Sequence, residues 1–170
     1  NGRTRAIAQK TGLPVLLIDE NQQQGDTFGV RFANAFQKVY DLGYENLIAI
    51  GNDSPQLTAS LLIRAANALQ KGQMPIGPSC DGGFYLLGLS AKDFDYNTFT
   101  NFSWQESSLY KEWLSFASER KLEACSLKPL HDIDSAADIR AHAAHWLLYI
   151  PSLRDFFVFF IKSCSGFFEQ

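Results

Sequence analysis

The sequence predicts a single α/β domain with a mainly parallel sheet. Short apolar segments with the length of strands alternate with amphipathic helical segments along the 170 residues, a length that suits one core of ordinary size. Such alternation is typical of a sheet that is covered by helices on both of its faces. The chain has no internal repeat and no long linker.

Local patterns define the elements in order. The segment PVLLID (Pro14–Asp19) is a short apolar strand, and a glutamine-rich loop follows it. Apolar residues recur with helical spacing from Phe28 to Val39, and Gly43 is expected to end that helix. The further predicted elements are strand 47–50, helix 58–71 with Thr58 as its cap and Gly72 after it, strands 74–76 and 84–89, helix 105–120, strand 122–127, and a helix opened by Ser135 and Asp138.

Composition and charge exclude several classes of function. The net charge is −3 and the basic residues are scattered, so nothing indicates a nucleic-acid partner. Cys80, Cys125 and Cys164 lack metal-ligand spacing, and their odd number argues against a disulfide framework. With no signal peptide, this favours reduced thiols in the cytoplasm. Because the chain begins at Asn1 without a methionine, we expect it to start within a longer gene product, or its true N-terminus not to be represented.

The C-terminal residues 147–170 are predicted to be an aromatic-rich helical tail on a domain formed by residues 1–146. Four phenylalanines in the segment 156–160 cannot all face one side of a helix, since neighbouring residues are about 100° apart. We therefore expect the tail to pack on the domain with one face and to meet a second subunit, as in a homodimer, with the other. Membrane contact is a weaker alternative, because the tail carries little basic charge.

Three segments each place an acid beside the predicted end of a strand or helix. They are GNDSP with Asp53, GPSCDGGFYLLGL with Asp81, and HDIDSAADI with Asp132 and Asp134. In an open α/β sheet, ligands bind beyond the carboxyl ends of the strands, where carboxylates can hold a divalent cation and, through it, a phosphate.

Structural alternatives exist for each of these residues. Asp53 could cap a turn, Gly82–Gly83 could simply form a tight turn into a strand, and Asp134 could be the first charge of a helix. His131 is best interpreted as an ordinary loop residue, and His142 and His145 lack the further ligands of a zinc site.

Nucleophilic catalysis and common nucleotide loops have no support in the sequence. There is no GxSxG elbow, no Walker A loop and no GxGxxG. If the chain is an enzyme, metal-assisted phosphate chemistry is the reaction class that its acids fit best, with the cation neutralising a diphosphate leaving group.

Together the three segments resemble DUF2064, a bacterial family usually labelled glycosyltransferase and similar to nucleotide-diphospho-sugar transferases of the GT-A fold. That family shows G-S-D-x-P, G-P-x-x-D-G-G-Y-Y-L-x-G-L and D-x-D-T-P-x-D-L, and this chain has GNDSP, GPSCDGGFYLLGL and DIDSAADI in the same order. Upstream, QQGDTFGVRFANAF is similar to the family's Q-G-x-x-L-G-E-R-M-x-x-A-F. The resemblance covers about residues 22–139 and implies a GT-A-like, three-layer α/β/α domain.

The resemblance also implies roles for individual residues. Asp53 and Asp134 would ligate Mg²⁺ or Mn²⁺, and Asp53 and Asp81 would act in catalysis. The substrate-binding residues would be Arg31, Asn52, Gly82, Gly83 and Trp104, with the arginine on phosphate and the tryptophan in the acceptor pocket.

Departures from the family pattern leave other functions open. Val30, Asn52 and Ser135-Ala136 replace usual family residues, and the family's first strand and its P-x-x-G-x-x-K-T-R-L loop are expected to be missing. The expected function is a metal-dependent transfer from a nucleotide-diphospho-sugar to an unknown acceptor. The alternatives are a nucleotidyltransferase of the same fold and a non-catalytic remnant that binds a partner.

Overall fold

A computed structural model of the chain describes residues 2–18, 22–51, 56–130 and 158–163. Within these residues the chain forms a six-stranded sheet and five α-helices. The helices are α1 (Gly2–Gln9), α2 (Phe28–Asp41), α3 (Ala59–Gln70), α4 (Tyr96–Asn101) and α5 (Leu109–Glu119). The strands are β1 (Val15–Ile18), β2 (Asn46–Ile50), β3 (Met74–Pro78), β4 (Phe84–Ser90), β5 (Ala124–Ser126) and β6 (Val158–Ser163).

The sheet is mixed, which corrects the prediction that it is mainly parallel. Its strand order is β1-β6-β2-β4-β3-β5, and β4 and β6 run opposite to the other strands. The pairing of β3 with β5 is parallel, whereas the four other pairings are antiparallel. The reason lies in the short connection 79–83 between β3 and β4, since a parallel pair needs a crossover of a dozen residues or more.

The predicted helical tail is also wrong over Val158–Ser163, which is the strand β6. It lies between β1 and β2 and pairs with both of them. The segment VFFIKS is rich in β-branched and aromatic residues, which favour strands, and both neighbours offer backbone groups that a strand can satisfy. The predicted helix after Ser135 and the rest of the tail lie outside the described residues. The contacts of the tail with a second subunit or a membrane therefore remain predictions.

Helix boundaries confirm the capping chemistry. The Thr58 hydroxyl accepts a hydrogen bond from the Leu61 amide and begins α3, as predicted, and Thr27 accepts from the Val30 amide at the start of α2. Gly43 and Gly72 follow these two helices in the left-handed region, with φ of 85° and 79°. The helix predicted over 105–120 begins later than expected, at Leu109, because Gln105 has a φ of 68° that an α-helix does not accommodate.

Two apolar cores lie on opposite faces of the sheet. Leu47 and Ala49 of β2 belong to one cluster, and Ile48 and Ile50 belong to the other, as the alternation of a strand requires. Helices α2, α4 and α5 pack on the first face and α1 and α3 on the second. Among the helices of the described residues, none has the length and apolar character needed to cross a membrane.

Candidate functional site

Described residues within or directly beside the three acidic segments lie at one edge of the sheet, the edge at which β2, β3 and β5 end. The Gly51 amide, directly before Asn52 in the sequence, donates to the Tyr85 carbonyl at 2.8 Å. The Leu130 amide, directly before His131, donates to Pro78 O at 3.1 Å, and the Cys80 amide donates to Leu130 O at 3.1 Å. Gly51, the first residue of GNDSP, and Leu130, which precedes the third segment, therefore both contact the hairpin that carries Asp81.

At the tip of this hairpin, residues 79–83 form a turn organised around the Asp81 carboxylate. The buried Ser79 hydroxyl donates to Asp81 Oδ1 at 2.6 Å, and the Gly83 amide donates to the same oxygen at 3.0 Å. The Ser79 amide also donates to Gly83 O at 3.1 Å. Asp81 is nevertheless exposed to solvent. Its Oδ1 thus shapes the turn while the side chain stays accessible from outside, so the structural and functional interpretations of this acid are compatible.

Gly82 adopts a backbone conformation that residues other than glycine disfavour. Its φ is +96°, and a Cβ atom built on it would lie 2.2 Å from the Ser107 carbonyl oxygen. The Tyr110 amide donates to Gly82 O at 3.0 Å. The turn therefore packs directly on the segment that opens α5, and only glycine fits at its tip.

Arg31 lies in the first turn of α2, whose N-terminus follows β1 at the same edge. Its Nη1 donates to the Gly25 carbonyl at 3.3 Å, and Asn34 Nδ2 donates to Gln24 O at 2.8 Å. Both side chains thereby hold the glutamine-rich loop against the helix. The contact between Arg31 and a phosphate remains a prediction.

Trp104 packs against the same end of α2. Its ring centroid lies 5.3 Å from that of Phe28, 4.9 Å from Phe32 and 6.1 Å from Phe84. Its Nε1 donates to the Phe99 carbonyl at 2.6 Å, which fixes the orientation of the indole. The residue is half-buried.

The predicted metal ligands Asp53 and Asp134, together with Asn52, lie outside the described residues. Across residues 2–18, 22–51, 56–130 and 158–163, no group of three or more His, Cys, Asp or Glu side chains could hold a metal ion. A cleft of about 520 Å³ lies at the opposite edge of the sheet, where β2 and β3 begin, and contains none of the predicted site residues.

Comparison with known proteins identifies the family. Residues 5–106 match the family model of DUF2064, described as an uncharacterized protein conserved in bacteria. The chain belongs to this family. The matched range includes Arg31, Trp104 and the hairpin tip of this DUF2064 chain. No curated protein matches the chain.

A solved structure is similar to this DUF2064 chain over most of its length. It is the crystal structure of a "putative nucleotide-diphospho-sugar transferase" from Desulfovibrio desulfuricans G20, with a TM-score of 0.65 and 30% sequence identity. The match covers 75% of this chain and 57% of the other. The chain therefore corresponds to little more than half the length of that protein.

Sequence reasoning missed the contribution of Glu112 to this edge of the DUF2064 fold. Glu112 Oε2 accepts the Ser103 amide at 2.9 Å, and Oε1 accepts the Ser108 hydroxyl at 2.7 Å. These bonds hold the pKa of the Glu112 carboxyl below its ordinary value. The spacing of four between Ser108 and Glu112 differs from the spacing of three in a capping box, so no familiar pattern marked the pair.

Substitution of Gly29 tests the packing of the Trp104 ring against α2. A Cβ atom at Gly29 would lie 2.5 Å from Trp104 Cδ1 and Nε1, so Gly29→Ala should displace the ring and break its bond to Phe99. We expect a loss of about 1–3 kcal/mol in the free energy of unfolding, as for other overpacked sites. Urea unfolding measures this loss.

The control for Gly29→Ala is the same change in a Trp104→Ala background. With the ring absent, alanine should be neutral or stabilising by up to about 1 kcal/mol, because it has the higher helix propensity. An equal loss of unfolding free energy in both backgrounds would contradict the packing of Trp104 on Gly29.

Proposed function

We propose that this chain is a GT-A-like glycosyltransferase domain that uses a nucleotide-diphospho-sugar donor and a divalent cation, Mg²⁺ or Mn²⁺. The observation that carries the proposal is the convergence of Gly51 and Leu130 on the hairpin of Asp81. The similar crystal structure, itself described as a "putative nucleotide-diphospho-sugar transferase", supports the same class of reaction. Helices on both faces of the sheet suit the three-layer arrangement of that fold.

In this proposal Asp53 and Asp134 would ligate the cation, and each lies a few residues along the chain from a residue bonded to the hairpin, Gly51 or Leu130. A hard cation accepts two carboxylates together with diphosphate oxygens and water. When bound, it would neutralise the charge that develops on the leaving diphosphate. Arg31 and Asn52 would bind the donor, and the backbone of Gly82 and Gly83 would allow its close approach.

Asp81 is the proposed general base. Its exposed carboxylate would take the proton of an acceptor hydroxyl, whose oxygen then bonds to the anomeric carbon of the sugar. The bond from that carbon to the diphosphate breaks, and its electron pair leaves with the diphosphate. Trp104 would line the acceptor side of the same edge.

The metal assignment is tested by calorimetry with a panel of nucleoside diphosphates, with and without Mn²⁺. The wild-type protein should bind at least one of them in a Mn²⁺-dependent manner. Asp53→Ala should weaken that binding tenfold or more, which corresponds to about 1.4 kcal/mol or more.

The matched control is Asp41→Ala, an exposed acid at the far end of α2. It should bind like the wild type. Equal binding by Asp53→Ala and the wild type, or no Mn²⁺-dependent binding by any of the proteins, would contradict the assignment.

A further inference from the structure

The loop of residues 103–108, between α4 and α5, connects both sides of the proposed site. At one end Trp104 packs on Gly29 and Phe28 of α2, and at the other the Ser107 carbonyl lies against Gly82. The Tyr110 amide, just after the loop, donates to Gly82 O. The loop therefore contacts both the N-terminal end of α2 and the hairpin tip.

The conformation of the loop is not one that the chain adopts by default. Gln105 has a φ of +68°, a backbone conformation that residues other than glycine disfavour. Residues 105–108 are also exposed to solvent. Few apolar contacts can hold such a segment, so polar contacts must contribute to fixing it.

Glu112 supplies such contacts at both ends of the loop. One carboxylate oxygen accepts the Ser103 amide at 2.9 Å and the other accepts the Ser108 hydroxyl at 2.7 Å. Charge-assisted hydrogen bonds of this kind are stronger than neutral ones, and here two of them close a single loop. Glu112 belongs to α5, and the buried side chains of Trp113 and Phe116 pack this helix into the core.

We propose that Glu112 is a positioning residue of the site. Its carboxylate holds the loop of residues 103–108, and this loop positions Trp104 relative to the Asp81 turn. It contacts no proposed reacting atom and acts through Ser103 and Ser108. The proposal deepens the proposed function and rests on it for the part that concerns ligand binding.

The test compares Glu112→Ala, Glu112→Gln and the control Glu119→Ala, an exposed acid of the same helix. Amide hydrogen exchange is followed by NMR at Ser103, at Tyr110 and at Gly51, whose bond to Tyr85 does not involve the loop. In Glu112→Ala the Ser103 and Tyr110 amides should exchange at least tenfold faster, whereas Gly51 should not change. A general loss of stability would accelerate all three together.

Rescue separates positioning from the charge itself. In Glu112→Gln the side-chain carbonyl can still accept the Ser103 amide, and the amide group can donate to the Ser108 hydroxyl. Exchange at Ser103 and Tyr110 should then return to within about threefold of the wild type. Binding of a sugar nucleotide with Mn²⁺ should fall about tenfold in Glu112→Ala and recover in Glu112→Gln.

The outcomes are distinct for the two proposals. Unchanged exchange at Tyr110 in Glu112→Ala, or equal acceleration at Gly51, would overturn the role of Glu112. If the exchange pattern is as expected but the wild type binds no sugar nucleotide, the role of Glu112 in holding the loop is supported and the proposed function is contradicted. If the wild type binds and Glu112→Ala binds equally well, the loop is not part of the site and the positioning role is overturned.

Discussion

Gly82→Ala should lower the free energy of unfolding by about 2–5 kcal/mol, from left-handed backbone strain together with overpacking. The φ of +96° disfavours any side chain, and the added Cβ would meet the Ser107 carbonyl oxygen at 2.2 Å. That oxygen belongs to the backbone, so the conflict cannot be relieved by a change of rotamer. Chemical denaturation measures the loss.

Gly83→Ala is the matched control one residue along the chain. Its Cβ would lie 3.2 Å from Ser79 Oγ and 3.4 Å from Asp81 Oδ1, and its φ lies outside the left-handed region. We expect a loss below about 1 kcal/mol, typical of a tolerated substitution. Similar losses for the two variants would show that the conformation of Gly82 does not constrain the turn.

Trp113→Ala should destabilise the protein by about 3–5 kcal/mol, the range for large aromatic residues removed from a core. Trp113 is fully buried, and its ring contacts those of Phe99, Phe102 and Phe116, with centroids 5.0, 4.4 and 5.2 Å away. The truncation would open a cavity at the centre of the aromatic cluster.

Trp113→Phe should cost much less than Trp113→Ala. In the part of the chain that the structure describes, Trp113 Nε1 is buried without a hydrogen-bond partner, so phenylalanine removes a donor that gains nothing from folding. Thermal and urea unfolding of both variants measure the difference. Equal losses would indicate that the indole N–H does have a partner.

Features that depend on neighbouring residues were predictable from the sequence. The Thr58 cap, the glycines that end α2 and α3, and the special conformation within Gly82–Gly83 each follow from a few adjacent residues. The rule that ligands bind beyond strand ends predicts that the three acidic segments share one edge of the sheet, and the contacts of Gly51 and Leu130 agree with that prediction.

Features that depend on distant partners were not predictable in this way. The direction of β4 is set by its short link to β3, while its continuous apolar run suits a buried strand of either direction. The phenylalanines at 159 and 160 suit a helix or a strand, and only pairing with β1 and β2 decides between them. The partners of Glu112 and Trp104 likewise come from loop geometry, which residue patterns do not encode.

The hairpin of β3 and β4 also bears on the order in which the fold forms. Its strands are separated by five residues, so its tip, with Asp81, can form at a small entropic cost of loop closure. By contrast, β1 and β2 pair with β6 from the other end of the chain, and such nonlocal contacts slow folding. The turn of Asp81 thus belongs to the most local contacts of the sheet, and completion of the sheet around it waits for β6.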